Sequence, residues 1–320
     1  MSERRLGTPV AFIIFNRPET TQRVFAEIAK VRPRRLLVVG DGPRPSKAGE
    51  AERVAQTRAV IEQVDWDCDV VTDYAIENLG CKTRVSSGID WVFGQTERAI
   101  VLEDDCVPSP SFFWYCEELL ERYAKDERVF SISGDNFLGK RHPRHDSYYF
   151  SKYPHPWGWA SWRRAWENYD VTMSAWPALR ASGWLDRQFD TENERRYWSR
   201  TFDAVHAGNI DTWDYQMFFA AWRTESLNTV PAVNLISNIG FGVDATHTKY
   251  RETGADMATG LLEFPLRHPS AVGRDVSADR VTNDRMFARP ALRRVVWRVS
   301  RTVRIAWSAA MGRLKSVFGG

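Results

Sequence analysis

Cysteine is scarce in this chain: Cys68, Cys81, Cys106 and Cys116 are the four among 320 residues. No two form a C-x-x-C pair, and they are too sparse for a disulfide framework or a structural zinc site, so free thiols are expected. The six histidines show no H-x-x-x-H spacing, which argues against zinc chemistry. No stretch approaches the roughly 18 consecutive apolar residues of a membrane-spanning helix. The opening Met1-Ser-Glu-Arg-Arg has charge but no apolar core of a secretory signal, so a cytoplasmic location is expected. Acidic residues are missing from the C-terminus. All 41 acids lie at or before Asp284, together with 35 of the 44 Lys and Arg, and the other nine basic residues follow. The net charge of +3 is therefore −6 over residues 1–284 and +9 over residues 285–320. An acidic body with a basic tail points to an anionic surface as partner.

With 43% hydrophobic residues, 320 residues can bury a sizeable core in one large or two modest domains. From Val10 onward, apolar runs alternate with stretches of helical period, the pattern of an α/β fold with a mixed, mostly parallel sheet. Val10–Phe15, Leu36–Val39, Asp69–Thr72, Ala99–Leu102 and Val129–Ile132 read as strands. Helices are expected after Thr20 or Thr21, from Lys47 to Gln63, from Cys81 to Phe93, and from Pro110 behind a Ser109 cap. Residues 148–222 are aromatic-rich and hold nine of the 14 tryptophans. Residues 251–289 read as a loop-rich connection.

Ligands of α/β sheets bind at the carboxyl ends of parallel strands, which here carry Asn16-Arg17, Asp41 and Glu103-Asp104-Asp105. Three adjacent carboxylates beside a buried strand repel one another unless a cation compensates them. Hard oxygen ligands of this kind suit Mg²⁺ or Mn²⁺ with a substrate phosphate, and Arg17 could hold the same phosphate. A solvated acidic turn with Arg17 as its surface partner explains the spacing equally well. In Asn209-Ile-Asp-Thr-Trp-Asp-Tyr-Gln-Met217, Asp211 or Thr212 can cap a helix whose first turn holds Asp214. Asp214 could also serve as a general base. Trp159, Trp162 and Trp166 are spaced as a core-facing helical stripe, while Pro156-Trp157-Gly158 could present a flat apolar surface to a sugar ring. Gly240-Phe-Gly-Val-Asp-Ala-Thr-His-Thr248 could close over a ligand, with His247 either a contact or a structural hydrogen-bonder.

In this order, the segments from about Pro9 to Thr248 resemble the GT-A glycosyltransferases, in particular the N-acetylglucosaminyltransferase I family and its bacterial relatives. The most specific part is Val101-Leu-Glu-Asp-Asp-Cys-Val-Pro-Ser-Pro-Ser-Phe-Phe113. Phe15-Asn-Arg17 resembles the family's first-strand arginine and Asp41 its second-strand aspartate. Asn78-Leu-Gly80 with Arg84 is similar to a nucleotide-sugar-proximal segment, and Gly158-Trp159 and Trp213-Asp214 resemble the acceptor-side loop and the pair holding the base. The resemblance implies a nucleotide-diphosphate-sugar transferase fold with residues 1–135 as the donor half and 136–250 as the acceptor half. It implies that Asp105 binds Mn²⁺ or Mg²⁺ and that Glu103, Asp104, Arg17, Asp41 and Arg84 meet the sugar nucleotide, a UDP-sugar being the first expectation. Trp157, Gly158, Trp159 and His247 would face acceptor or sugar, and Asp214 would deprotonate the acceptor in an inverting displacement. Tyr215 stands where the eukaryotic enzymes have a second acid, which leaves Asp211 as the other candidate base. A second reading is a carbohydrate-binding or scaffold protein on the same fold without chemistry.

Residues 290–320 place Val295, Val296, Val299, Val303, Trp307, Leu314 and Val317 on one helical face and Arg293, Arg294, Arg298, Arg301 and Arg304 on the other. That is the pattern of a helix lying in a membrane interface, here the cytoplasmic face, with a glycan or lipid-linked acceptor. A C-terminal helix packed on the body with a solvated basic face is the alternative. Nucleic acid is not expected, because no recognition motif accompanies the basic run.

Overall fold

A computed structural model describes residues 5–139, 145–240 and 257–287. The expected contact His247 and the basic segment 290–320 lie outside the described residues. The first half alternates strand and helix: β1 (Val10–Ile14), α1 (Pro18–Val31), β2 (Arg35–Gly40), α2 (Glu50–Ala59), β3 (Asp69–Tyr74), α3 (Cys81–Gln95) and β4 (Arg98–Glu103). The chain continues through β5 (Cys106–Pro108), α4 (Pro110–Arg122) and β6 (Val129–Ser133). After these come β7 (Tyr148–Ser151), β8 (Trp159–Trp162), the single-turn α5 (Arg163–Trp166), and the helices α6 (Trp176–Ala181), α7 (Trp184–Gln188), α8 (Glu192–His206) and α9 (Asp214–Arg223). β9 (Leu227–Pro231), β10 (Ile236–Asn238) and α10 (Val276–Met286) complete the described elements.

Eight strands form one mixed α/β sheet of Rossmann-like character in the order β3-β2-β1-β4-β8-β6-β9-β7. The pairs from β3 to β4 are parallel, β8 runs antiparallel to both β4 and β6, and β6 is again parallel to β9. One sheet thus runs through both expected halves. Its central strands are apolar on both faces, as a sheet covered on two sides requires. Val10, Phe12 and Ile14 of β1 join a core under α1 and α4, whereas Ala11 and Ile13 join a second core under α3 and α9. The approach of α3 to the sheet depends on Gly88, where a Cβ would fall 2.3 Å from Val39 Cγ1.

Several local expectations change. Neither Thr20 nor Thr21 caps α1: Arg17 occupies the N-cap position, Pro18 needs no N–H partner, and both threonine hydroxyls donate back to the Arg17 carbonyl at 3.2 and 2.7 Å. The 47–63 segment is a turn, then α2, then a 3-10 turn, because Glu50 grips Arg44 and folds the chain before the helix. Trp159 and Trp162 lie on a strand and only Trp166 on a helix, so the three are buried without sharing a helical stripe. A third aromatic core joins α6 to α9, packing Trp176, Trp184, Trp198, Phe202, Phe219 and Trp222. Residues 251–289, expected as a loop-rich connection, contain α10, whose buried face is partly polar. Asp279 accepts from Ser151 Oγ and from Arg274, which anchors the helix on β7 and removes the hydrophobic period.

Candidate functional site

The strand order reverses direction at β1, because β2 and β4 lie on its two sides while the chain reaches β4 only after β3. Such a switch point opens a crevice at the carboxyl ends of the flanking strands. Arg17 leaves β1 at this crevice and Glu103-Asp104-Asp105 leave β4 beside it. Arg17 bridges two of the acids: Nη1 donates to Asp105 Oδ2 at 2.8 Å and Nη2 to Asp104 Oδ1. Asp104 is buried and takes the Phe15 N–H on its other oxygen at 3.1 Å; Asp105 Oδ1 accepts from the Cys106 thiol at 3.4 Å. Burial raises the Asp104 carboxyl and Arg17 opposes the shift. Glu103, half-buried and without a cation partner among the described residues, is raised by burial and then by Asp105 and Asp104. Gly240 closes the crevice so tightly that a Cβ there would lie 1.9 Å from Asp105 Oδ2.

At the end of β2, Asp41 is buried and accepts four hydrogen bonds, from Gly42 N, Leu79 N, Gly80 N and Asn78 Nδ2. These occupy its lone pairs, so Asp41 acts by shaping the 77–80 loop; a direct contact to a nucleobase would have to replace one of these donors. Arg84, also buried, donates to the Gly40 carbonyl at 3.1 Å and to Asp73 Oδ2 at 2.8 Å. It ties the ends of β2 and β3 to α3. The loop leaves Ile76 and Leu79 exposed at the edge of the crevice, Ile76 almost completely.

Asp214 enters the same site from the first turn of α9. The N-cap position is Trp213 rather than Asp211 or Thr212, and Asp214 Oδ1 accepts the Tyr215 N–H at 2.8 Å and the Thr212 hydroxyl. Beneath it four aromatics close on one another. Trp213 stacks on Trp159, Trp159 meets Trp166, Trp166 stacks on Tyr169 with centroids 4.1 Å apart, and the Tyr169 hydroxyl returns to the Trp213 carbonyl at 3.0 Å. The Cys81 thiol joins the two sides of the site: burial raises it, followed by Glu103, Asp214 and Asp211. Gly80 abuts Asp211, whose Oδ2 lies 3.8 Å from where a Cβ would be.

The expected acceptor surface is largely internal. Trp159 is 1% exposed and supports Trp213 from below; Gly158, at φ 65°, is buried against Ile236 and Leu102. Trp157 alone of the described members keeps part of its ring at the surface, its remainder packed at the edge of Phe137. His155 is buried too, its Nδ1 3.0 Å from the Asp135 carbonyl and its pKa pushed down to about 4 by burial. Sequence reasoning missed Thr212 as the orienter of Asp214, Tyr169 as the closure of the aromatic ring, and Cys81 as a neighbour of Glu103 and Asp214. Thr212 could have been found as a hydroxyl two residues before the acid. Tyr169 could not, since only the fold brings it to Trp213.

Among the described residues, no group of three or more His, Cys, Asp or Glu is arranged to hold a metal on protein ligands alone. An Mg²⁺ or Mn²⁺ ion that takes one carboxylate and completes its shell with phosphate oxygens needs no such group. Asp105, whose two oxygens meet Arg17 Nη1 and the Cys106 thiol, offers a single carboxylate for that type of site.

No family model matches the chain, and no curated protein matches it. Among solved structures, the chain is similar to a UDP-glucose pyrophosphorylase complexed with UDP-glucose, at 10% identity and TM-score 0.36, over 69% of this chain and 89% of that one. It is also similar to the inositol-1-phosphate CTP transferase from T. maritima, at 11% identity and TM-score 0.32, over 51% and 74%. A third is a 4-diphosphocytidyl-2C-methyl-D-erythritol synthase from Anaerococcus prevotii, at 11% identity and TM-score 0.31, over 68% and 98%. These are likenesses of α/β chain path and assign no activity.

Proposed function

We propose that the protein is a metal-dependent inverting glycosyltransferase. In this reading it moves a sugar from a nucleoside-diphosphate donor to a hydroxyl of a glycan or lipid-linked acceptor at the cytoplasmic membrane face. The observation that carries it is convergence: Arg17 and the Glu103–Asp105 turn at the switch point meet Asp214, from a helix more than 100 residues later, through the shared neighbour Cys81. This is the set that the resemblance to GT-A enzymes assigns to phosphate, metal and base.

Arg17 would bind and orient the phosphates, and Glu103, at the floor of the crevice, would meet the sugar. Asp105 would hold the divalent ion, which when bound stabilises charge on the departing diphosphate. Asp214 would accept the acceptor's hydroxyl proton, held in place by the Thr212 hydroxyl and the Tyr215 N–H on Oδ1. Only an acceptor with a hydroxyl directed at Asp214 would react.

Titrating tryptophan fluorescence with nucleoside diphosphates, with and without Mn²⁺, tests the donor side. Binding is expected at micromolar to millimolar concentration and to weaken when Mn²⁺ is withheld; metal-independent or absent binding would sink the reading. A screen of donor hydrolysis across nucleotide sugars then identifies base and sugar.

A further inference from the structure

Arg17 holds the same Asp105 oxygen that a cation would claim. Its Nη1 lies 2.8 Å from Asp105 Oδ2, and the second carboxylate oxygen faces the Cys106 thiol at 3.4 Å. Gly240 packs over the remaining approach, a Cβ there lying 1.9 Å from Asp105 Oδ2 and 2.9 Å from Arg17 Nη1. The Arg17 backbone is pinned, since its carbonyl takes the Thr21 N–H at 2.9 Å and two threonine hydroxyls. Only the side chain is free to swing. Its charge is secure: burial opposes it, but Asp104 and Asp105 more than restore it.

A divalent ion and a guanidinium cannot share Asp105, because like charges a few ångströms apart repel strongly in a partly buried site. A cation arriving alone must displace Arg17 and leave a half-buried guanidinium without its carboxylate, which is costly. A diphosphate removes that cost, because it supplies a new bidentate partner for the fork and new oxygens for the ion.

We propose that Arg17 is a specificity-determining residue that makes cation binding at Asp105 conditional on a diphosphate. The inference rests on the assignment of Asp105 as the metal ligand. Because coupling is reciprocal, the same exchange makes diphosphate binding depend on the ion. A single phosphate, which offers fewer oxygens to divide between ion and guanidinium, should couple less.

The test is direct Mn²⁺ binding, read from the free-ion paramagnetic resonance signal, with protein-free controls for Mn²⁺ bound by the phosphate itself. Wild type should bind Mn²⁺ at least about tenfold more tightly with inorganic pyrophosphate than without, and less than threefold more tightly with orthophosphate. Arg17→Gln should bind Mn²⁺ alone at least fivefold more tightly than wild type and lose most of the pyrophosphate effect. Should that variant not fold, Arg17→Lys, which replaces the two-pronged guanidinium by a single ammonium, should show at least a twofold gain. If the folded Arg17 variant binds Mn²⁺ alone no better than wild type while Asp105→Asn binds none, the inference is wrong and the metal assignment stands. If Asp105→Asn binds Mn²⁺ like wild type, the metal assignment itself is wrong.

Discussion

Asp214 carries the sharpest single-residue consequence. Both Asp211 and Asp214 lie at the crevice, but they differ in environment: Asp211 is exposed, whereas Asp214 is partly buried and held by Thr212 and the Tyr215 N–H. A base must be held in one orientation to be effective, so Asp214 is the better placed of the two. Asp214→Asn should lower the rate of transfer by about 100-fold or more while leaving donor binding within about threefold, and Asp211→Asn should leave turnover within about threefold. Steady-state kinetics on the donor found by the hydrolysis screen, with Mn²⁺–diphosphate titrations of both variants, checks this; the reverse pattern would transfer the role to Asp211. At this scale the sequence showed which residues end the strands, because charge directly after an apolar run is visible in one dimension. It did not show that Asp41 and Arg84 turn inward, since their partners are backbone groups of other elements.

The elements were legible wherever one physical cause dominated. The central strands are buried on two faces and read as continuous apolar runs, and α4 starts at Pro110 as its sequence suggests, with Ser109 at the N-cap position but its side chain making no capping hydrogen bond. Where two causes competed, the reading slipped. The tryptophans after Gly158 have helical spacing, yet β8 forms because its backbone is paired on both sides by β4 and β6. α10 was invisible because its buried face carries Asp279, Thr282 and Asn283 in place of apolar residues. Contact between α3 and β2 gives a test of element packing. Gly88→Ala should cost about 1–3 kcal/mol through overpacking against Val39, even though alanine is the better helix former. Adding Val39→Ala should make the double variant lose less than the sum of the two single losses, as urea unfolding would measure. Simple additivity would mean that the two residues do not press on each other.

For the molecule as a whole, the charge division has a clear experimental edge. The Phe287 ring packs with its centroid 5.1 Å from that of Trp198 and 5.5 Å from that of Phe218, so the body of the fold includes it. Truncation after Phe287 therefore keeps α10 intact while removing eight of the nine basic residues that follow Asp284. The full chain is expected to sediment with vesicles containing anionic lipid and to be released by about 0.5 M salt, as screening of surface charge requires. The truncated chain should stay in the supernatant at low salt, and retention on the vesicles would remove the membrane assignment. Fold class was readable from the alternation of strand and helix periods between Val10 and Ile132, but the strand order was not, since β8 enters between β4 and β6 only through long-range pairing.

That pairing also bears on how such a molecule could be altered. Trp159 of β8 sits opposite Val101 of β4, two residues before Glu103, and the same tryptophan stacks on Trp213, the neighbour of Asp214. The Glu103 turn and Asp214 are thus gauged against each other through one ladder register and one stacked ring pair. A one-residue insertion or deletion inside β8 would turn Trp159 to the other face of the sheet and remove that gauge.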